Sequence, residues 1–163
     1  MTIRKATTED IGAILEIYGV ARRFMRDTGN LNQWINGYPS EKQLRDDIRE
    51  QCCHVCIDAE GEIVGTFFFR QADDVTYFKI YDGAWLNNKP YAVVHRLASS
   101  RKHKRIADFC LQWCLEQFPN IRVDTHRDNL VMQHILQKNG YVYCGIIFLL
   151  NGSERMAFQK SCE

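Results

Sequence analysis

The chain changes its pattern at Tyr91, and that change limits the folds open to it. Two helical segments and several short apolar runs, divided by turn residues, precede this point. After it, strands and amphipathic helices alternate up to a final hairpin signal at Asn151-Gly152. We therefore expect an α/β (α+β) fold in which one mixed sheet carries helices on both faces.

The predicted elements follow one another in the order β α α β β β β α β α β β. Capping residues precede the helices, and asparagine, glycine or proline follows them. The predicted strands are 3–5, 54–58, 63–70, 75–81, 91–98, 121–125, 141–150 and 155–160, and the predicted helices are 11–28, 40–50, 106–118 and 130–138.

Composition narrows the class of protein. The 163 residues are 45% hydrophobic, which suits a single domain, 1–163, with its own core. The formal net charge of +1 is smaller than a globally basic nucleic-acid binder carries. No apolar run reaches the ~20 residues that span a bilayer, and the N-terminus lacks the apolar stretch of a signal peptide. We expect a cytoplasmic protein with no membrane and no nucleic-acid partner.

The seven cysteines are odd in number and scattered, which favours reduced thiols over a disulfide framework. Cys53 and Cys56 have the CxxC spacing of a zinc site. No second pair follows, however, and the segment has the pattern of a strand. We expect no metal site.

The strand, basic loop and helix between 91 and 118 have the arrangement of a phosphate site. A helix N-terminus presents unpaired N–H groups and the positive end of the helix dipole. The loop before this helix reads Ser99-Ser100-Arg101-Lys102-His103-Lys104-Arg105. A solvated connection is the plainer interpretation of such a charge run, and a nucleic-acid patch is a third.

The order of elements resembles the fold of the GCN5-related N-acetyltransferase (GNAT) family. Residues 94–99 are similar to the strand of that family that runs beside the cofactor. Residues 102–107 fall on its Gln/Arg-x-x-Gly-x-Gly/Ala loop, where Ala107 fits and Arg105 replaces glycine. Glycine allows a close backbone approach or a positive φ, whereas arginine adds bulk and a charge for phosphate. We expect coenzyme A binding to survive this replacement.

A second segment strengthens the resemblance. Asn129 begins it and Gly140-Tyr141 ends it, with the spacing of the family's second signature. The resemblance covers nearly the whole chain. It implies a mostly antiparallel sheet with a splayed cofactor cleft, and direct transfer of the acetyl group of acetyl-CoA to a primary amine of a small molecule or a protein. The residues it implies for cofactor binding are Leu97, Ala98, Ser99, Lys102, His103, Lys104, Arg105, Ile106, Ala107 and Asn129.

The family's usual catalytic residues are absent. Leu136 stands where the family has a tyrosine acid, and Tyr91 lies near the position of its glutamate base. His95 and Cys144 are the substitutes we predict, since histidine titrates near neutrality and a thiol could protonate a leaving group. Strand alternation would place His95 and Leu97 on one face. The plainer alternatives are a histidine satisfied by a neighbour and a cysteine that only packs.

Aromatic side chains offer a site for the acceptor. Trp34, Tyr38 and Trp85 are the residues we predict for substrate binding, because rings line pockets and stack on cationic amines. Aromatic residues are also common core residues. A catalytically degenerate relative, acting as a coenzyme A sensor or interaction module, is the alternative function. The sequence leaves the oligomeric state open, and a homodimer is one candidate because dimers are the commonest homo-oligomers.

Overall fold

The computed structural model describes residues 1–162, and these form one open sheet of seven strands with four α-helices. The strand order is β1-β2-β3-β4-β5-β7-β6, and only β4 and β5 are parallel neighbours. The expected fold class, with its mostly antiparallel sheet, is confirmed. In chain order the elements are β1 Thr2–Lys5, α1 Ile11–Asp27, α2 Glu41–Arg49, β2 Cys53–Ile57, β3 Ile63–Arg70, β4 Ala92–Ser99, α3 Ile106–Gln117, β5 Asn120–Thr125, α4 Leu130–Lys138, β6 Val142–Phe148 and β7 Glu154–Ser161.

Helices cover both faces of the sheet because each has one apolar stripe. In α1 the buried side chains Ile14, Ile17, Tyr18 and Ala21 recur at the spacing of one helix face, and they pack with Leu44 of α2. On the opposite face α3 buries a second stripe against β4 and β5, together with α4. That stripe consists of Ile106, Cys110, Leu111 and Cys114.

The parallel pair β4 and β5 opens into a cleft. The two strands pair only at Ala92 with Ile121 and at Val93 with Arg122, and then they separate. From Val94 onwards, the β5-facing edge of β4 therefore has no strand partner. This is the splayed arrangement that the resemblance implies.

A β-bulge in β4 changes the direction of its side chains. Between His95 and Ala98, β4 has one residue more than β3, so Arg96 and Leu97 lie opposite Phe67. Arg96 takes a left-handed backbone conformation with φ 54°. As a result, Leu97 packs into the core on the α3 side, whereas His95 faces the other side of the sheet. The expectation that His95 and Leu97 share a face is wrong, because simple alternation takes no account of a bulge.

The predicted strand 75–81 is also wrong. Val75–Tyr77 forms a short 3₁₀ turn, and only Tyr81 makes a single bridge to the sheet, with Ile146. Asp74 caps the turn, and the Tyr77 hydroxyl donates to Asp124 of β5 at 2.7 Å. These tertiary bonds outweigh the strand tendency of the segment.

The structure also bears on the CxxC spacing of Cys53 and Cys56 and on the membrane-spanning potential of the helices. Cys53 belongs to the core on the α1 side and Cys56 to the core on the α3 side, so the two thiols point to opposite faces and cannot bind one ion together. Across residues 1–162, no helix combines the length and apolarity needed to cross a bilayer.

Candidate active site

Two cavities meet beside the cleft between β4 and β5. The loop cavity, about 640 Å³, follows the end of β4, the loop 99–105 and the start of α3. The histidine cavity, about 610 Å³, lies among the segment 33–38, the 3₁₀ turn, β4, β5 and the β6–β7 turn. Four residues line both cavities: Met25, Leu97, Asn129 and Met132. The two cavities therefore adjoin at the splayed edge of β4.

At the start of α3, one end of the loop cavity has the features of an anion site. No side chain caps this helix, and Arg105 at the cap position has φ 66°, a left-handed conformation. The first-turn N–H groups have no partner within the helix, and the helix dipole is positive there. The left-handed backbone explains why glycine suits this place. Arg105 holds the same conformation at a cost of roughly 1–2 kcal/mol.

Hydrogen bonds and ion pairs fix the basic loop to the rest of the fold. Arg101 donates its backbone N–H to Ser99 Oγ at 2.9 Å. Lys102 Nζ lies 3.2 Å from Glu62, and His103 Nε2 lies 3.0 Å from Asp58 in the β2–β3 turn. The side chains of Lys102 and Glu62 are 66% and 59% exposed, so this pair adds little stability. The loop's charge remains accessible to a ligand.

All ten residues predicted for cofactor binding line the loop cavity. Asn129 has three relations at once: Oδ1 caps α4 by accepting from Met132 N–H at 3.0 Å, Nδ2 donates to Gln33 at 2.9 Å, and the side chain lines both cavities. It therefore links the α1–α2 segment to the cleft. The structure brings these ten residues together, and their binding role remains a prediction.

The histidine cavity is organised around His95. Its Nε2 lies 2.8 Å from Asp74 Oδ2, and Asp74 also accepts from the hydroxyl and the N–H of Thr76 at 2.6 and 2.9 Å. Burial alone would raise the pKa of Asp74, but these hydrogen bonds and the nearby imidazole lower it to about 2. Asp74 is therefore a carboxylate at neutral pH.

The Asp74 carboxylate fixes the tautomer of His95. A carboxylate only accepts hydrogen bonds, so His95 Nε2 must carry the proton. In the neutral ring Nδ1 then holds a free lone pair. Nδ1 lies 4.0 Å from Asp124 Oδ2, and that oxygen accepts from the Tyr77 hydroxyl. Burial raises the pKa of Tyr77 well above its usual value, so Tyr77 remains a donor.

A buried ion pair and aromatic rings form the wall above His95. Arg96 pairs with both carboxylate oxygens of Asp47 at 2.9 and 3.0 Å and donates to the Tyr38 hydroxyl at 3.1 Å. Trp34 lies edge-to-face with Tyr38, with ring centroids 6.2 Å apart. The predicted acceptor residues Trp34 and Tyr38 therefore line the histidine cavity, as His95 does.

Two predicted site residues do not line either of the two cavities. Trp85 packs on Tyr77 and donates to its carbonyl at 3.0 Å. Cys144 is buried in β6 and its thiol donates to the Val142 carbonyl, while burial raises the pKa of the thiol. The loop at Gly83 crosses so near the Cys144 backbone that a Cβ there would lie 1.9 Å from the Cys144 oxygen. That loop covers the cysteine.

At the position where the family has a tyrosine acid, this chain has a residue of the hydrophobic core. Leu136 is fully buried among the apolar side chains of the α3 face, and the hydroxyl of Tyr91 accepts the N–H of Asp74 instead of facing a ligand. His95 is the histidine that lines this cavity, and its role in proton transfer remains a prediction.

Sequence reasoning missed several polar residues of the histidine cavity, among them Asp74, Thr76, Asp124 and Arg155. Asp124 had a usable signal, because ligands of α/β sheets collect at the carboxyl ends of strands and Asp124 lies one residue before the end of β5. Thr76 belongs to the segment that we predicted as a strand, and Asp74 directly precedes that segment. Arg155 lies within a predicted strand and carries no local signal.

Comparison with known proteins agrees with this geometry. No protein-family model matches the sequence, and no match was found among curated proteins. Among solved structures, a GNAT-family acetyltransferase from Streptococcus agalactiae is 35% identical, with a TM-score of 0.91 over 99% of this chain and 95% of that chain.

More distant structures share the fold. A ribosomal-protein-alanine N-acetyltransferase from Brucella melitensis is 17% identical, with a TM-score of 0.64 over 99% of both chains. A GNAT-superfamily phosphinothricin acetyltransferase from Sinorhizobium meliloti, solved in complex with acetyl-CoA, is 17% identical, with a TM-score of 0.62 over 98% of this chain and 87% of that chain. Given the 35% identity across the full length of the streptococcal relative, this chain belongs to the GCN5-related N-acetyltransferase family.

Proposed function

We propose that this protein is an acetyl-CoA-dependent N-acetyltransferase that transfers the acetyl group to a primary amine of a small molecule or a protein. The observation that carries the proposal is the position of His95 Nδ1. This nitrogen makes no hydrogen bond to Asp74, and its side chain lines a cavity that adjoins a second, basic cavity at the splayed edge of β4. One cavity has features for the cofactor, and the other has a base for the amine.

The loop cavity fits coenzyme A by size and by charge. Its 640 Å³ lie within the usual range for ligand pockets, about 300–1,000 Å³. The uncapped first turn of α3 and the loop cations would hold the phosphates. The unpaired edge of β4 from Val94 onwards would follow the pantetheine arm, as the resemblance implies. The relative from Sinorhizobium meliloti, which binds acetyl-CoA, supports the same ligand here.

The chain's own residues supply proton transfer and orientation. Acetyl-CoA supplies the activated acetyl group. The amine nitrogen forms its new bond to the acetyl carbon as the C–S bond breaks, and His95 Nδ1 accepts the proton that the nitrogen loses. Asp74 holds the opposite edge of the imidazole and stabilises the imidazolium, so we assign it a positioning role. Solvent protonates the departing thiolate.

The remaining residues of the histidine cavity would select the amine. Trp34 and Tyr38 offer ring faces to the acceptor. Asp124, one of whose oxygens accepts from Tyr77, would attract an ammonium group before its deprotonation. Replacement of the family's tyrosine by the buried Leu136 then does not remove activity, because His95 carries the proton transfer.

The test measures acetyl-CoA turnover with a panel of primary amines. The free thiol that the reaction releases is the signal. We compare the wild type with His95→Gln. The matched control is His134→Gln, which changes an exposed histidine on α4. Loss of a positioned base should lower kcat by about 10²–10⁴-fold, with little change in the KM for acetyl-CoA. The control should behave as the wild type.

Two results would contradict the proposal in different ways. Coenzyme A binding without turnover of any amine would favour a coenzyme A sensor or interaction module. Equal turnover by the wild type and His95→Gln would support acetyltransferase activity but contradict the role of His95 as the base.

A further inference from the structure

Arg155 of β7 is a buried cation without a buried anion beside it. Its residue is 7% exposed, and its one hydrogen bond in the described part of the chain runs from Nη1 to the Glu154 carbonyl at 2.8 Å. Within residues 1–162, no carboxylate oxygen lies within 4.0 Å of its guanidinium. Asp124 attracts it only from beyond that distance.

The other buried arginines have a structural partner. Arg96 makes a bidentate pair with Asp47. Arg122 lies between the rings of Trp85 and Tyr91, each 4.1 Å from its guanidinium carbon. Arg155 has neither arrangement, so the fold itself gives no account of its burial.

The free donors of Arg155 face the histidine cavity. The side chain lines this cavity. Its nitrogens that make no hydrogen bond are not fully buried, so they keep some solvent exposure. The little exposure that remains is therefore directed into the cavity. The same wall contains Thr125, whose fully buried hydroxyl has no partner among residues 1–162. An arginine without a carboxylate partner and a hydroxyl without a hydrogen bond thus line the same cavity.

A buried guanidinium without an anion costs free energy, and a ligand anion removes that cost. Burial lowers the pKa of Arg155, yet a guanidinium keeps its charge in proteins. Its planar fork matches the two oxygens of a carboxylate. The His95 and Asp124 side of the cavity suits an amine, so the cavity offers opposite charges to the two ends of one small molecule.

We propose that Arg155 binds the carboxylate of the acceptor, and that the acceptors are amino acids or closely related amines that carry a carboxylate. This inference rests on the proposed acetyl transfer and names its substrate class. It makes Arg155 a specificity-determining residue, since it contacts the substrate away from the reacting nitrogen.

The experiment measures kcat/KM for acetylation of the common amino acids and of their matching α-amides. We compare the wild type with Arg155→Gln, Arg155→Lys and Arg127→Gln. The last variant removes an arginine whose side chain is 73% exposed and lies outside both cavities. In the wild type, the preferred amino acid should exceed its amide by at least about tenfold.

Arg155→Gln should lower kcat/KM for that acid by about 10²-fold and leave the amide nearly unchanged, since it removes the charged hydrogen bonds that only the acid can accept. The kcat/KM of Arg155→Lys for the acid should lie between those of the wild type and Arg155→Gln, because lysine keeps the charge but cannot make the bidentate hydrogen bonds of arginine. Arg127→Gln should match the wild type. Circular dichroism and thermal unfolding establish that each variant folds.

A second readout separates this inference from the transfer reaction. The same amino acids and amides are titrated against the thermal unfolding midpoint of the wild type and of Arg155→Gln, without acetyl-CoA. The acids should raise the midpoint of the wild type alone. Three results would overturn the inference. The amides could bind and react as well as the acids, or Arg155→Gln could lower kcat/KM equally for both. The third is that the acids have no effect in either readout. Binding of acids without any turnover would support the role of Arg155 in carboxylate binding and would contradict the proposed acetyl transfer.

Discussion

The two cavities of this protein use charge in opposite ways. In the loop cavity most charged side chains come from the consecutive residues 101–105 and are largely exposed, such as Lys102. In the histidine cavity the charges come from distant segments and are largely buried, such as the pair Arg96–Asp47. The first arrangement attracts a ligand at little structural cost. The second fixes positions at the cost of desolvation.

The largest difference should appear in stability. Arg96→Gln leaves Asp47, whose side chain is 3% exposed, without its bidentate partner. We expect a loss of about 3–5 kcal/mol in the free energy of unfolding. Lys102→Gln removes an exposed pair and should change it by less than about 1 kcal/mol. Urea unfolding measures both. Equal effects would mean that burial does not distinguish the two cavities.

The next effect concerns rate. Asp74→Asn removes the carboxylate that sets the tautomer of His95. We expect kcat to fall by roughly 10²-fold or more, while the KM for acetyl-CoA stays the same, because the change lies outside the loop cavity. The neighbouring Asp73 is exposed, so Asp73→Asn is the control. A raised KM for acetyl-CoA with normal kcat would refute the positioning role of Asp74.

The same carboxylate should produce a pH effect on stability. The pKa of Asp74 is lowered in the folded state to about 2, so the stability that it adds is present above about pH 4 and is lost as the pH falls towards 2. The amount is on the order of 2 kcal/mol. Unfolding of the wild type and Asp74→Asn at pH 6 and pH 3 should show a difference that shrinks at the lower pH. A constant difference would contradict this assignment.

The contrast between the cavities also explains what the sequence could predict. The loop cavity follows a strand, a loop and a helix in succession, so nine of its ten predicted residues lie close together in the chain. The resemblance to the family assigned these residues, and its second signature added Asn129. The glycine of the family's motif had indicated the left-handed conformation of Arg105, whereas that of Arg101 had no signal in the sequence.

The histidine cavity depends on contacts that no local pattern encodes. Asp74 meets His95 from 21 positions away because the 3₁₀ turn is fixed to β5 by the bond between Tyr77 and Asp124. A strand prediction for that segment placed these groups elsewhere. Cys144 was expected at the cleft, and the loop at Gly83 covers it.

The smallest effect tests the loop backbone. Arg105→Gly removes the strain of a left-handed residue, and Arg105→Ala removes the same exposed side chain but keeps the strain. We expect the glycine variant to be more stable than the alanine variant by about 1 kcal/mol. Both should lose the same few-fold affinity for coenzyme A, because both lack the guanidinium. Equal stability of the two variants would show that no strain is stored at this position.

The separation of the two cavities is tested most directly by calorimetric titration of acetyl-CoA. The wild type and His95→Gln should bind it equally, with a dissociation constant on the order of micromolar. The double variant Lys102→Gln, Lys104→Gln should bind at least about tenfold more weakly at low salt. No binding by the wild type would contradict the assignment of the loop cavity to coenzyme A. An equal loss in His95→Gln would contradict the division of roles between the two cavities.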